Sequence, residues 1–126
     1  MKTPSRRIAK LNSLLREVIT EVIKREANDP NISPLTSITK VEISSDLKHA
    51  KVFVSIIGTE EERQKTLKTL ETSAGFISSH SSKKISIRYF PSLTFYLDHS
   101  VEDQMKIENL LKKIEEKRKK NPPKDL

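Results

Sequence analysis

The sequence predicts an α+β fold, with helices packed on one face of a small three-stranded sheet. Two observations carry this. Apolar residues recur three or four apart in some stretches and at every second position in others, in the order helix, strand, strand, helix, helix, strand, helix. The length, 126 residues, accommodates one domain with one modest core.

The first helix is expected over residues 6–27. Ile8, Leu11, Leu15, Val18, Val22 and Ile23 fall on one stripe that Leu14 and Ile19 widen, and Arg6, Arg7, Lys10, Glu17, Glu21 and Lys24 lie off it. "NDPNISP" cannot continue a helix, since proline lacks the N–H and clashes with the preceding turn. Two strands follow. In "TSITKVEIS", Val41 and Ile43 alternate with Lys40 and Glu42; in "AKVFVSII", Ala50, Val52, Val54 and Ile56 share a face. The connector "SDLKH" is short enough for a hairpin, so the pair is expected to be antiparallel.

Thr59 followed by Glu62 fits a capping box, and Glu60, Glu61 and Glu62 suit the positive end of a helix dipole. The stripe Leu67, Leu70, Ala74 and Ile77 then crosses Gly75, one of two glycines in the chain. Glycine inside a helix costs roughly 1 kcal/mol relative to alanine. A break is expected there, with the helix restarting after Gly75. The next strand is read over residues 85–97, bent at Pro91: Ile85, Ile87, Tyr89, Leu93, Phe95 and Leu97 all occupy odd positions. Tyr89 and Phe95 are then core residues, and Phe90 and Tyr96 share the opposite face, as stacking candidates or as half of a cross-strand pair. Ser100 is expected to cap a last helix bearing Ile107, Leu110, Leu111 and Ile114. The domain is thus 1–116, and 117–126 is a basic, flexible tail.

Several kinds of chemistry are excluded or disfavoured. Without cysteine there is no disulfide, thiolate nucleophile or zinc–thiolate site. His49, His80 and His99 show no ligand spacing, and the adjacent glutamates 60–62 point in different directions, so no metal is expected. "DHS" (98–100) holds the letters of a catalytic triad, but three neighbours at a strand end splay apart. No apolar run is long enough to span a bilayer, and no secretory signal is recognisable, which makes the cytoplasm the expected compartment.

The formal charge of +7 is concentrated at the ends. Residues 1–10 carry Lys2, Arg6, Arg7 and Lys10 with no acid, and 117–126 carry five bases against Asp125, while 11–116 is nearly neutral. That pattern suits arms touching an anionic partner such as RNA, and equally suits solubilising tails. Residues 72–97 contain no acid but hold Lys83, Lys84 and Arg88. A helix restarting at the break would offer free N–H groups to an anion, and glycine would let a phosphate backbone approach closely. Read from the residues alone, Gly75 more simply ends the second helix and turns the chain back onto the sheet.

The element order with a helix–turn–helix before the last strand resembles a type II KH domain, an RNA-binding fold whose Gly-X-X-Gly loop clamps the nucleic-acid backbone. That loop is not present here. The closer resemblance is to the ribosome-binding factor A family, in which a helix–kink–helix around Ala-X-Gly replaces it. The corresponding residues are Ser73, Ala74 and Gly75, with serine for the first alanine. "VEISSDLKHAKVFVSIIG" (41–58) is similar to the family's hairpin, "SAGFI" to its kink, and "FPSLTFYLDHS" (90–100) to its last strand and turn, although Ser92 stands where the family often carries glutamate.

The resemblance implies a KH type II-like fold and a bacterial, non-enzymatic factor that acts as a monomer. It binds the free small (30S) ribosomal subunit during late assembly and supports 5′-end processing of the 16S rRNA precursor. It further implies that the factor stays off translating ribosomes and that a GTPase is linked to its release. On that footing Arg6, Arg7, Lys10, Lys83, Lys84 and Arg88 are expected to contact phosphate, with close approach at Gly75 and help from the tail. The alternative is a protein-interaction module whose basic arms grip an acidic partner. A ribonuclease has no residue constellation in its favour, and no cofactor is implied.

Overall fold

The computed structural model describes residues 5–100 and 112–116. Residues 112–116 are helical. The remainder of the expected C-terminal helix, the tail at 117–126, and Lys2 lie outside the described residues.

Helix α1 (Arg6–Val22) begins where the Ser5 hydroxyl accepts the Ile8 N–H, and buries Leu15, Val18, Ile19 and Val22 as the stripe predicts. It widens into a single π turn (Ile23–Ala27) that ends at Asn28. Asn28 has φ 32, a left-handed value that asparagine tolerates better than most residues. The loop that follows is tied down by Thr66: its hydroxyl accepts the Ser33 N–H at 3.1 Å and donates to the Asn31 carbonyl at 3.4 Å. A threonine among the polar residues of a helix gives no sequence signal for that role.

Strand β1 (Thr36–Ile43) pairs antiparallel with β2 (His49–Ile56), with Val41 opposite Val52. The hairpin is as expected. Strand β3 (Ser92–Leu97) lies parallel to β2, so β2 is central in the order β1-β2-β3. A register shift between Ile38 and Lys40 leaves Thr39 at a bulge. Helices α2 (Glu60–Thr72) and α3 (Ala74–Ser82) pack against β3, while α1 packs against β1 and α3. One cluster joins Leu15, Ile19 and Val22 of α1 to Leu70 and Ile77, and to Val52, Val54, Leu93 and Phe95 of the sheet. The other face of the sheet holds a cross-strand pair instead. Phe53 and Tyr96 are stacked at 5.6 Å, and the Lys40 ammonium sits 4.7 Å above Phe53.

Three local expectations are corrected. The long third strand is only its second half, because β3 starts opposite the first residue of β2 and its Ser92 N–H bonds the Lys48 carbonyl in the hairpin turn. A strand over 85–90 would have nothing to pair with. Tyr89 is accordingly 76% exposed rather than core, and Phe90 is half-buried against the core rather than displayed. The kink is at Ser73 (φ −91, ψ 3), and the helix restarts at Ala74, one residue before Gly75. The helix that Ser100 is expected to cap continues outside the described residues; Ser100 itself donates its N–H (3.0 Å) and its hydroxyl (2.7 Å) to the Asp98 carboxylate. Of the capping box, the Thr59 half is present: Thr59 Oγ1 accepts the Glu62 N–H at 3.1 Å. Glu62 Oε1 turns to the Thr59 hydroxyl.

Asp98 also locks the bulge, accepting the Thr39 hydroxyl at 2.6 Å. That bond first, and the two from Ser100 next, hold its carboxyl at about 2, below its ordinary value. A carboxyl lowered by folding stabilises above its unfolded pKa of about 4, and the effect disappears as the pH falls through the folded value. Asp98→Asn is expected to cost on the order of 1 kcal/mol at neutral pH, after allowance for solvent screening. It should cost almost nothing near pH 2. Thermal midpoints at the two pH values check this; equal losses would assign the effect to shape rather than charge.

Candidate nucleic-acid interface

The first two turns of α1 display Arg6, Arg7 and Lys10, all exposed. One turn on, Asn12 faces inward and its side-chain carbonyl accepts the Ile43 N–H at 2.9 Å, which pins the start of α1 beside the end of β1. The β1–β2 turn therefore stands next to those cations. It closes tightly: the Leu47 N–H donates to the Ser44 carbonyl at 2.9 Å, and Asp46 Oδ1 accepts the Ser44 hydroxyl (2.6 Å) and the Lys48 N–H (3.0 Å). The Ser44 bond first, and the Lys48 N–H second, keep the Asp46 carboxyl below its usual range. Leu47 has φ 62, a left-handed conformation costing a non-glycine residue of order 1–3 kcal/mol.

Residues 85–90 run past the same place. Ile85 is buried, Ile87 is half-buried, and the Arg88 guanidinium lies 5.4 Å from the Tyr89 ring centre. Between α1, the turn and this segment are two adjoining cavities of about 610 and 560 Å³ that share Leu11, Leu47 and Ile87. Lys48 and Arg88 border the first, Arg7 and Lys10 the second, and among the described residues Asp46 is the only acid lining either. Arg7 and Lys10 of α1 and the sequence-distant Arg88 thus surround one apolar groove, with Arg6 beside Arg7 in the first turn of α1. Lys48 and Leu47 were not anticipated. The available signal was a leucine inside an otherwise polar connector.

The other expected residues fall elsewhere. Gly75 is exposed in the first turn of α3, and a Cβ placed there would meet nothing within 4 Å. Its φ is not left-handed, so neither packing nor backbone geometry requires glycine. The helix is interrupted beside it at Ser73, whose N–H bonds the Thr69 carbonyl and whose own carbonyl accepts the Ile77 N–H, both at 2.9 Å. Lys83 is exposed at the far end of α3, about 12 Å away along the helix axis. Lys84 is drawn towards carboxylates, its Nζ lying 2.9 Å from Glu26 and 3.6 Å from Glu21. The Glu26 bond chiefly raises the Lys84 pKa, and the same bond chiefly lowers that of Glu26. His80 joins this network with Nδ1 2.7 Å from Glu26 and its ring stacked on Phe76, so α3 is pinned to the π turn.

Among the described residues no group of His, Asp or Glu is arranged to hold a metal ion, and no helix is long and apolar enough to cross a membrane. The arrangement offers exposed cations around an apolar groove, and separately a bare glycine at a helix N-terminus. Both suit a phosphate-bearing polymer better than a small-molecule reaction.

Known proteins resemble this chain over most of its length. The family model of ribosome-binding factor A matches residues 7–111. A ribosome-binding factor A from Protochlamydia amoebophila is 50% identical over 112 residues, covering 89% of this chain and 86% of that one. The solution structure of a Thermotoga maritima protein superposes with a TM-score of 0.66 at 30% identity, covering 76% of this chain and 91% of that one. A homology model of Thermus thermophilus ribosome binding factor A, fitted into a cryo-EM map of a 30S complex of that factor, gives a TM-score of 0.60 at 22% identity. It covers 73% of this chain and 96% of that one, a likeness in fold alone.

Proposed function

The chain belongs to the ribosome-binding factor A family, and on that premise we propose that it is a cytoplasmic, monomeric, non-enzymatic assembly factor for the small ribosomal subunit. It binds free 30S particles late in maturation and supports processing of the 5′ end of the 16S rRNA precursor. It leaves before translation, in a step linked to a GTPase. The observation that best supports rRNA as the surface it touches is the gathering of Arg7, Lys10, Lys48 and Arg88 from three chain segments around one groove. With Arg6 and Lys83 they provide phosphate contacts, and Lys84 contributes if it exchanges Glu26 for phosphate. Gly75 allows a backbone to come close. Such contacts position the protein without reading sequence, so the shape of the folded rRNA selects the site.

The test is binding of the purified chain to free small subunits and to assembled ribosomes over a salt series, with Gly75→Ala and Gly75→Glu in parallel. Because a side chain at position 75 projects into open space, Gly75→Ala is expected to fold, and to gain up to about 1 kcal/mol. Binding to free subunits alone, falling with log salt by about 0.9 per phosphate contact, supports the assignment. Gly75→Glu is then expected to bind at least about tenfold more weakly, through repulsion from phosphate. Equal binding to both particles, or to neither, would overturn the assembly reading. Undiminished binding by a folded Gly75→Glu chain would remove the kink from the interface and leave the factor intact.

A further inference from the structure

We propose that the groove between the start of α1, the β1–β2 turn and residues 85–90 receives an unstacked nucleobase from a single-stranded stretch of rRNA, with the flanking phosphates on Arg7, Lys10, Lys48 and Arg88. This rests on the rRNA-binding reading above and adds a second contact, apart from the kink.

The walls and the rim have the two characters of a nucleotide. Leu11, Leu47 and Ile87 form a continuous apolar strip shared by the two cavities. Each cavity, at about 610 and 560 Å³, falls in the roughly 300–1,000 Å³ range of pockets that enclose a compact ligand. A base has apolar faces, and single strands bind where such faces meet apolar or aromatic side chains beside a cationic track. The rim supplies that track: four cations come from α1, the turn and the 85–90 segment. The one acid among the described residues that line it, Asp46, has Oδ1 engaged by the Ser44 hydroxyl and the Lys48 N–H. Charge therefore favours an anionic occupant.

The turn itself is the independent observation. Leu47 is 44% exposed and left-handed, where asparagine or glycine would sit without strain. A bulky apolar side chain held out in that conformation fits the floor of a binding groove, since strain of this kind concentrates at sites of function. Tyr89 stands exposed at the edge beneath Arg88, a ring on which a neighbouring base can stack.

The competing occupant is the chain's own segment 101–116, whose Ile107, Leu110, Leu111 and Ile114 could fill an apolar groove and whose acids outnumber its bases. The test separates the two. The full chain and Leu47→Asn are titrated with a labelled short single-stranded oligouridylate, an abasic strand of equal length, free small subunits, and a peptide of residues 101–116. Asparagine keeps the left-handed turn, so the variant's thermal midpoint should not fall. The chain is expected to bind oligouridylate about tenfold tighter than the abasic strand. Leu47→Asn should erase that difference without changing the salt slope, because the phosphate contacts remain.

Equal affinity for the two strands, or a difference that survives Leu47→Asn, overturns the groove proposal. If salt-steep binding to free subunits persists in that case, the assembly reading stands alone. If it is also lost, both fall. Binding of the 101–116 peptide that Leu47→Asn abolishes, without preference for bases, overturns the proposal in favour of the protein's own segment.

Discussion

Reversing Arg7, Lys10 and Arg88 together to glutamate is expected to weaken binding to free small subunits by at least about a hundredfold near 0.1 M salt. A contact between a charged side chain and its partner is worth about 1.5–3 kcal/mol, so loss of three exceeds the roughly 2.8 kcal/mol that a hundredfold represents. The reversed charges add repulsion from phosphate. The salt dependence changes too, its slope falling by about 2.7 for three lost contacts. These side chains are exposed and none forms an ion pair among the described residues, so the fold should survive. Lys84 is left out deliberately: it bridges Glu26 and Glu21, and reversing it would disturb the join between α3 and the π turn. Co-sedimentation with free subunits, beside circular dichroism, reads the result. Unchanged affinity would place the interface on another face of the domain.

The fold was legible where hydrophobic period and burial are the same fact. Leu15, Val18, Ile19 and Val22, and alternately Val52, Val54 and Ile56, are buried as their spacing requires. The reading over 85–97 failed for the complementary reason. Alternation records which face a residue would present in a strand, but not whether a neighbouring strand exists to pair with it. Here β2 begins at His49, so the ladder ends at Ser92 and the alternation of Ile85, Ile87 and Tyr89 is not that of a strand. A parallel partner contributed by a distant segment leaves no local mark at its boundary.

The candidate site was half legible. Cations can be counted in a sequence, but whether a cation keeps its charge available depends on its neighbours. Lys83 and Lys84 are adjacent, yet one is exposed and the other lies between two glutamates of α1 and its π turn. Lys48 went unnoticed because a five-residue connector says nothing about which helix stands beside it; Asn12 and its bond to Ile43 decide that. Gly75 drew attention as the residue that breaks a helix, whereas Ser73 makes the break and Gly75 sits inside the next helix with empty space around it. A glycine that the fold does not need is the stronger reason to look for a partner at that point.

Ile77→Ala, two residues further along α3, is expected to be the most damaging single change near the kink. Ile77 is fully buried in the cluster that joins α1, α2 and the sheet. Truncating a buried isoleucine removes its transfer energy and leaves a cavity, together about 2–5 kcal/mol. For a domain whose whole stability is of order 5–15 kcal/mol, a loss near 3 should lower the thermal midpoint by about 10 °C. Gly75→Ala, on the same helix, should move it slightly upward. Opposite signs at neighbouring positions would show that α3 is anchored by its apolar side while the restart at the kink is free of packing demands. A small loss at Ile77 would instead assign the anchoring of α3 to His80 and Lys84 on Glu26. In that case Glu26→Gln, which weakens the Lys84 ion pair and alters the His80 contact, should be the more destabilising change.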